Sequence, residues 1–114
     1  MAMSFIAVEY VYREGSVPDR DVHRPAHLRW LGELVDQGHV LTAGPFLDNS
    51  GALLILATPN CEAAAKLLAD DPFIHAGIVV DIHYTEWRPV LGSFTEHGAP
   101  LVTPTSTGSV RLGS

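Results

Sequence analysis

In this 114-residue sequence, ionisable side chains stand where helical periodicity asks for apolar ones. The stretch is His23-Arg24-Pro25-Ala26-His27-Leu28. A helix turns about 100° per residue. With His27 at zero, Leu28, Trp30, Leu31, Leu34 and Val35 gather within little more than a right angle on either side. Arg29, Glu33 and Asp36 fall opposite. His27 therefore points with the apolar stripe, and Arg24, nearly one turn earlier, shares it. Burying an imidazole and a guanidinium costs free energy unless they are paired or opened to a cavity. A second stripe, Ala64, Leu67 and Leu68, is broken in the same way, because its next position is Asp71. The types suit chemistry. An imidazole is a general base near neutrality, and a guanidinium fork fits the oxygens of a carboxylate or phenolate.

Other reactive side chains make weaker sites. His23 and His27 are four apart, the spacing of two metal ligands on one helix face, but Pro25 lies between them and no matching third ligand is near. The expected metal set is none. Cys61 stands near a helix start, where a thiol can be activated. No adjacent His is apparent, so it reads as a small buried residue. His39, His75 and His83 read as surface or strand positions, and Trp30 and Trp87 as core or interface anchors.

The elements that must hold these residues follow from periodicity and turn residues. Phe5 to Tyr12 is a strand with apolar groups on both faces, so both are covered. Arg13 to Asp21, with Gly15, Ser16 and Pro18, reads as a loop. A helix is predicted from Asp21 or Arg24 to Gln37, with Pro25 in its first turn and Gly38 as the residue that ends it. Pro25 biases Arg24 away from helical angles, so His27 is placed in the helix with less strain than His23. Val40 to Leu47 is a strand bent near Gly44-Pro45. Asp48-Asn49-Ser50-Gly51 is a turn, and Ala52 to Ala57 returns as its hairpin partner. A second helix opens at Thr58 or Asn60, with Glu62 in its first turn, and stops about Asp70 because Pro72 follows Asp71. Ile78 to Trp87 is the last strand, with Ile78, Val80, Ile82 and Tyr84 on one face.

The order strand, helix, strand, strand, helix, strand fits an α+β ferredoxin-like sandwich, a four-stranded antiparallel sheet with two helices on one face. The other face would leave an apolar patch, which predicts a homodimer formed sheet against sheet. Residues 1–92 form the expected domain and 93–114 an extended or disordered tail.

Composition agrees with one globular domain: 46% hydrophobic and 18% charged residues. A net charge of -6, with the seven basic residues scattered, argues against a nucleic-acid partner. No apolar run is long enough to span a membrane, and Met1-Ala2-Met3-Ser4 lacks the charged start of a signal peptide. A single cysteine precludes an internal disulfide. Together these point to a cytoplasmic protein.

The run Arg24-Pro25-Ala26-His27-Leu28, then Gly38 and Leu41-Thr42-Ala43-Gly44-Pro45, then Asp71-Pro72-Phe73 with Ala76-Gly77-Ile78, and finally Trp87-Arg88-Pro89-Val90, resembles the YCII-related family. The resemblance covers roughly residues 4 to 90. It implies the dimeric ferredoxin-like α/β barrel shared with small isomerases such as muconolactone isomerase. It also implies an active site built on a His and an Asp, which match His27 and Asp71. Arg24, by its fork geometry, and Gly44 and Pro45 are the expected substrate-binding residues. Some members resemble lyases that eliminate chloride from chlorinated hydroxyquinones. A His27–Asp71 pair would fix the imidazole tautomer, and could remove a proton beside a carbonyl and assist loss of a leaving group without a cofactor. The function expected from the resemblance is a cofactor-independent lyase or isomerase, dehydrochlorinase-like, acting on a small aromatic-derived or enolisable compound. The alternative is a non-catalytic small-ligand binding or accessory protein in which the pair only caps helix ends.

Overall fold

The computed structural model describes residues 3–92 and 94. The chain runs β1 (Ser4–Tyr12), α1 (Val17–Asp36), β2 (Val40–Pro45), β3 (Gly51–Thr58), α2 (Cys61–Leu68), α3 (Pro72–His75) and β4 (Val79–Trp87). The strands form one antiparallel sheet in the order β2-β3-β1-β4. This is the expected α+β ferredoxin-like arrangement, with one addition. The segment after α2 forms a separate four-residue helix, α3.

Alternation along β1 decides the core. Ile6, Val8, Tyr10 and Tyr12 face the helices and are buried with Leu54 and Leu56 of β3, and with Leu34, Ala64, Leu68 and Phe73 of the three helices. The opposite parity, Phe5, Ala7, Glu9 and Val11, lies on the other sheet face, in register with Leu53, Ile55 and Ala57 of β3. That face is not uniformly open. Phe5 and Ile55 are buried, and Phe94 meets Phe5 edge-on at 6.3 Å, whereas Val11, Leu53 and Trp87 stay exposed. Apart from Phe94, the predicted tail lies outside the described residues.

Helix α1 differs from expectation at its start. It begins at Val17 with Pro18 in its first turn, so the segment read as a loop is mostly helix and Pro25 lies inside it. Pro18 takes the position where a missing N–H is harmless. Pro25 forfeits one backbone hydrogen bond, which burial of the helix face offsets. His23 is consequently helical, and His27 sits mid-helix rather than in the first turn. The buried line is also narrower than predicted. Arg20, His27 and Leu34 are buried while Leu28 and Val35 are exposed. At its end Gly38 adopts φ 84°, with Gly38 N donating to Val35 O and His39 N to Leu34 O. This closes the helix as the glycine predicted.

The remaining starts and stops have local causes. Asn60 caps α2 by accepting from Ala63 N at 2.8 Å. Asp48 Oδ1 accepts from Ser50 N within the β2–β3 turn, where Asn49 has φ 67°. In β4 the register slips opposite Val11 and Tyr12, so Val79 pairs with Tyr12 and Val80 becomes an exposed bulge residue. Val80 therefore does not share the face of Ile82 and Tyr84, contrary to simple alternation.

Candidate functional site

Asp71 organises the site because it is an N-cap before it is anything else. Pro72 starts α3, and Asp71, with extended ψ of 124°, turns its carboxylate back to accept from Phe73 N at 2.9 Å through Oδ1. The same Oδ1 lies 2.7 Å from His27 Nδ1, and Oδ2 accepts from the Tyr10 hydroxyl at 2.6 Å. Asp71 is completely buried, and these three donors satisfy it. Burial, then the neighbouring Asp71 charge and hydrogen bond, push the Tyr10 phenol far above its usual range, so it stays protonated and donates.

This geometry sets the state of His27. Asp71 accepts from every partner, so His27 Nδ1 carries the proton it donates, and the tautomer this favours has its lone pair on Nε2. Nε2 makes no hydrogen bond among the described residues, and it is not a sealed orphan either. The imidazole lies flat on Phe73, ring centroids 3.9 Å apart and planes within 4°, with Trp30 at 6.1 Å. Backed by Asp71 and clamped by Phe73, the ring presents one basic nitrogen in a defined direction.

His27 lines a pocket of about 300 Å³, the small end of the usual size for a small-molecule site. Tyr10, Tyr12 and Phe73 form part of its lining. Helix α1 supplies Arg20, Arg24 and His27, and the end of β2 supplies Ala43, Gly44 and Pro45. Four residues chosen from the sequence, His27, Arg24, Gly44 and Pro45, thus surround one cavity, and Asp71 stands behind His27 rather than at the surface. Arg24 is half-exposed and paired with Asp21 at 2.7 Å. Cys61 does not line this pocket. Among the described residues no three His, Cys, Asp or Glu side chains converge in a metal-binding group.

Arg20, Tyr10 and Tyr12 are pocket residues that the sequence reading did not single out for the site. Arg20 fell in the segment taken for a loop, yet it is 5% exposed, with its guanidinium 4.5 Å from the centre of the Tyr12 ring. Its signal was present: 20, 24, 27, 31 and 34 follow helical spacing through one face. Tyr10 and Tyr12 share the parity of Ile6 and Val8, which would have pointed both at the helices. Burial raises the Tyr12 phenol although the Arg20 charge pulls the other way.

Comparison with known proteins places the geometry in context. Residues 3–88 match the model of the YCII-related domain. A similar solved structure is 5-chloro-2-hydroxyhydroquinone dehydrochlorinase from Burkholderia phenoliruptrix AC1100, in complex with 2,5-dihydroxybenzoquinone. It has a TM-score of 0.66 and 24% identity, covering 74% of this chain and 93% of that one. A protein from Bacteriodes thetaiotaomicron VPI-5482, named for antibiotic biosynthesis monooxygenases, matches with TM-score 0.51 and 12% identity over 79% of this chain and 91% of its own. At these identities the likeness concerns the fold. No curated protein sequence matches.

Proposed function

The chain belongs to the YCII-related domain family, and from that premise we propose that it is a cofactor-independent lyase or isomerase, dehydrochlorinase-like, acting on a small aromatic-derived or enolisable compound. The observation that carries this reading is the direction of His27. Its Nδ1 is tied to buried Asp71, and among the described residues Nε2 has no partner beside a small pocket. A carbon beside a carbonyl loses its proton to Nε2. The C–H electron pair becomes a new double bond, and a leaving group on the adjoining carbon departs with its own pair. If the leaving group is chloride, the net change is loss of HCl without oxidation or reduction. Asp71 holds the tautomer and faces the imidazolium as it forms. Arg24 at the pocket wall stabilises the oxygen on which charge develops, and Gly44 and Pro45 shape the opposite side. The dehydrochlorinase of similar fold, solved with a dihydroxyquinone, supports this choice of substrate class.

A binding protein without chemistry is the second reading. It is favoured by the fact that Asp71 also caps α3 and holds Tyr10, so part of the arrangement has a folding role of its own. A panel of halogenated hydroquinones and lactones separates the two. Turnover is expected with one of these classes, falling at least about a hundredfold in His27→Gln with unchanged circular dichroism. Equal turnover by parent and variant would remove His27 from the chemistry. The chain is further proposed to act as a homodimer, joined through the sheet face that exposes Val11, Leu53 and Trp87. Among the described residues no helix is long and apolar enough to cross a membrane.

A further inference from the structure

Among the described residues, Arg20 is a buried cation without an anion. It is 5% exposed, and its hydrogen bonds run to two neutral acceptors, Nε to Ser16 Oγ at 3.3 Å and one terminal nitrogen to Asn49 Oδ1 at 3.4 Å. Both are long for a charged donor. The carboxylates beside it in the chain are engaged elsewhere, Asp19 with Arg13 and Asp21 with Arg24. Among the described residues no acidic group lies within ion-pair distance of Arg20. The Tyr12 ring beneath it, 4.5 Å away, offsets only part of the cost of desolvation. A guanidinium has five N–H donors, and no side-chain nitrogen here is both sealed and unpartnered. The terminal nitrogen that makes no hydrogen bond among the described residues is therefore not sealed, and Arg20 lines the cavity.

We propose that Arg20 is the specificity-determining residue of this pocket and that it selects a small, single-ring organic anion, held by a carboxylate or an ionised ring hydroxyl. The proposal rests on the reading that this pocket is the ligand site and adds which end of the ligand goes where. Arg20 and His27 are two helical turns apart, about 10 Å along the axis. Between them the pocket carries an aromatic row: Tyr12 under the guanidinium, then Phe73 at 6.1 Å from Tyr12, then His27 stacked on Phe73. A one-ring compound seated on this row has its anionic oxygens at Arg20 and its opposite edge at Nε2. The bound anion also supplies the counter-charge that Arg20 lacks among the described residues, so ligand binding stabilises the fold. Arg24 is a weaker anchor because Asp21 already neutralises it at the half-exposed surface.

The test uses the full chain and two probes of one ring skeleton, 2,5-dihydroxybenzoquinone, an anion at pH 7, and 2,5-dimethoxybenzoquinone, neutral at the same pH and larger by two methyl groups, so that the Arg20 variants and not the parent alone decide the role of charge. Calorimetry should show the parent preferring the anion by at least about tenfold, the worth of one charged hydrogen bond. Arg20→Met should abolish that preference and Arg20→Lys should retain part of it. Without ligand, Arg20→Met should melt at or above the parent temperature, because it removes an uncompensated buried charge. A merely structural arginine would make it melt lower. A parent that turns nothing over but keeps the Arg20-dependent preference loses the proposed chemistry and leaves the anion site standing. The proposal is overturned if the parent binds the two probes equally, fails to bind the anion, or if Arg20→Met binds the anion as tightly as the parent.

Discussion

Asp71 serves three donors with two oxygens: the backbone of Phe73, the ring of His27 and the hydroxyl of Tyr10. Its removal strands two buried polar side chains and uncaps α3. Asp71→Ala is therefore expected to cost about 3 kcal/mol, measured by urea denaturation. A loss below about 1 kcal/mol would show that the cluster contributes little to stability. Tyr10 adds a dependence on pH. An unfolded tyrosine ionises near pH 10.0, while burial and Asp71 keep the folded Tyr10 proton on to higher pH. Below pH 10 both states are protonated and the stabilisation is complete. Above it the unfolded chain releases a proton that the folded chain retains, so stability falls. Tyr12 and Tyr84 are shifted in the same direction. Tyr10→Phe should consequently flatten, without abolishing, the fall of the urea midpoint above pH 10, and an unchanged slope would contradict this account.

At the scale of elements, the pocket depends on β1 and β3 being drawn close at Gly51. Gly51 pairs with Val11, and a Cβ there would collide with the Tyr10 carbonyl oxygen. Backbone, not a flexible side chain, stands in the way. Gly51→Ala should destabilise the protein by about 2–4 kcal/mol and shift Tyr10 away from Asp71. Thermal melting and the near-ultraviolet signal of the tyrosines would read both effects, and a parent-like melt would disprove the close approach. Helix α1 carries the opposite tolerance. It accommodates Pro25 internally because its buried line of Arg20, His27 and Leu34 is held by packing rather than by propensity.

At the scale of the whole molecule, the helix-covered face of the sheet is complete and the other is not. Phe5 and Ile55 are covered within the chain, but Val11, Leu53 and Trp87 remain in water. Light scattering should give twice the chain mass for the parent, and Leu53→Glu, which plants a charge at the centre of the proposed contact, should give the monomer. A monomeric parent would refute the sheet-to-sheet dimer.

Short-range regularities carried most of the fold in the sequence. Period-two and helical patterns placed four strands and two helices in order, Gly38 ended α1, and Asn60 was one of two caps foreseen for α2. They also put His27 and Asp71 on buried faces, because a stripe broken by a charged group is visible within one helix. Other local signals misled: Pro25 was placed in the first turn of α1 and Pro18 in a loop, whereas Pro18 opens the helix, and a bulge at Val80 shifts strand parity without leaving a mark in the residues. What only tertiary structure decided is convergence. His27 and Asp71 are 44 residues apart and meet because α1 packs against α3 over one sheet face. Arg20 gains its place over Tyr12 by the same docking. Periodicity ranks the faces of one element, but which faces meet depends on packing among elements distant in the chain.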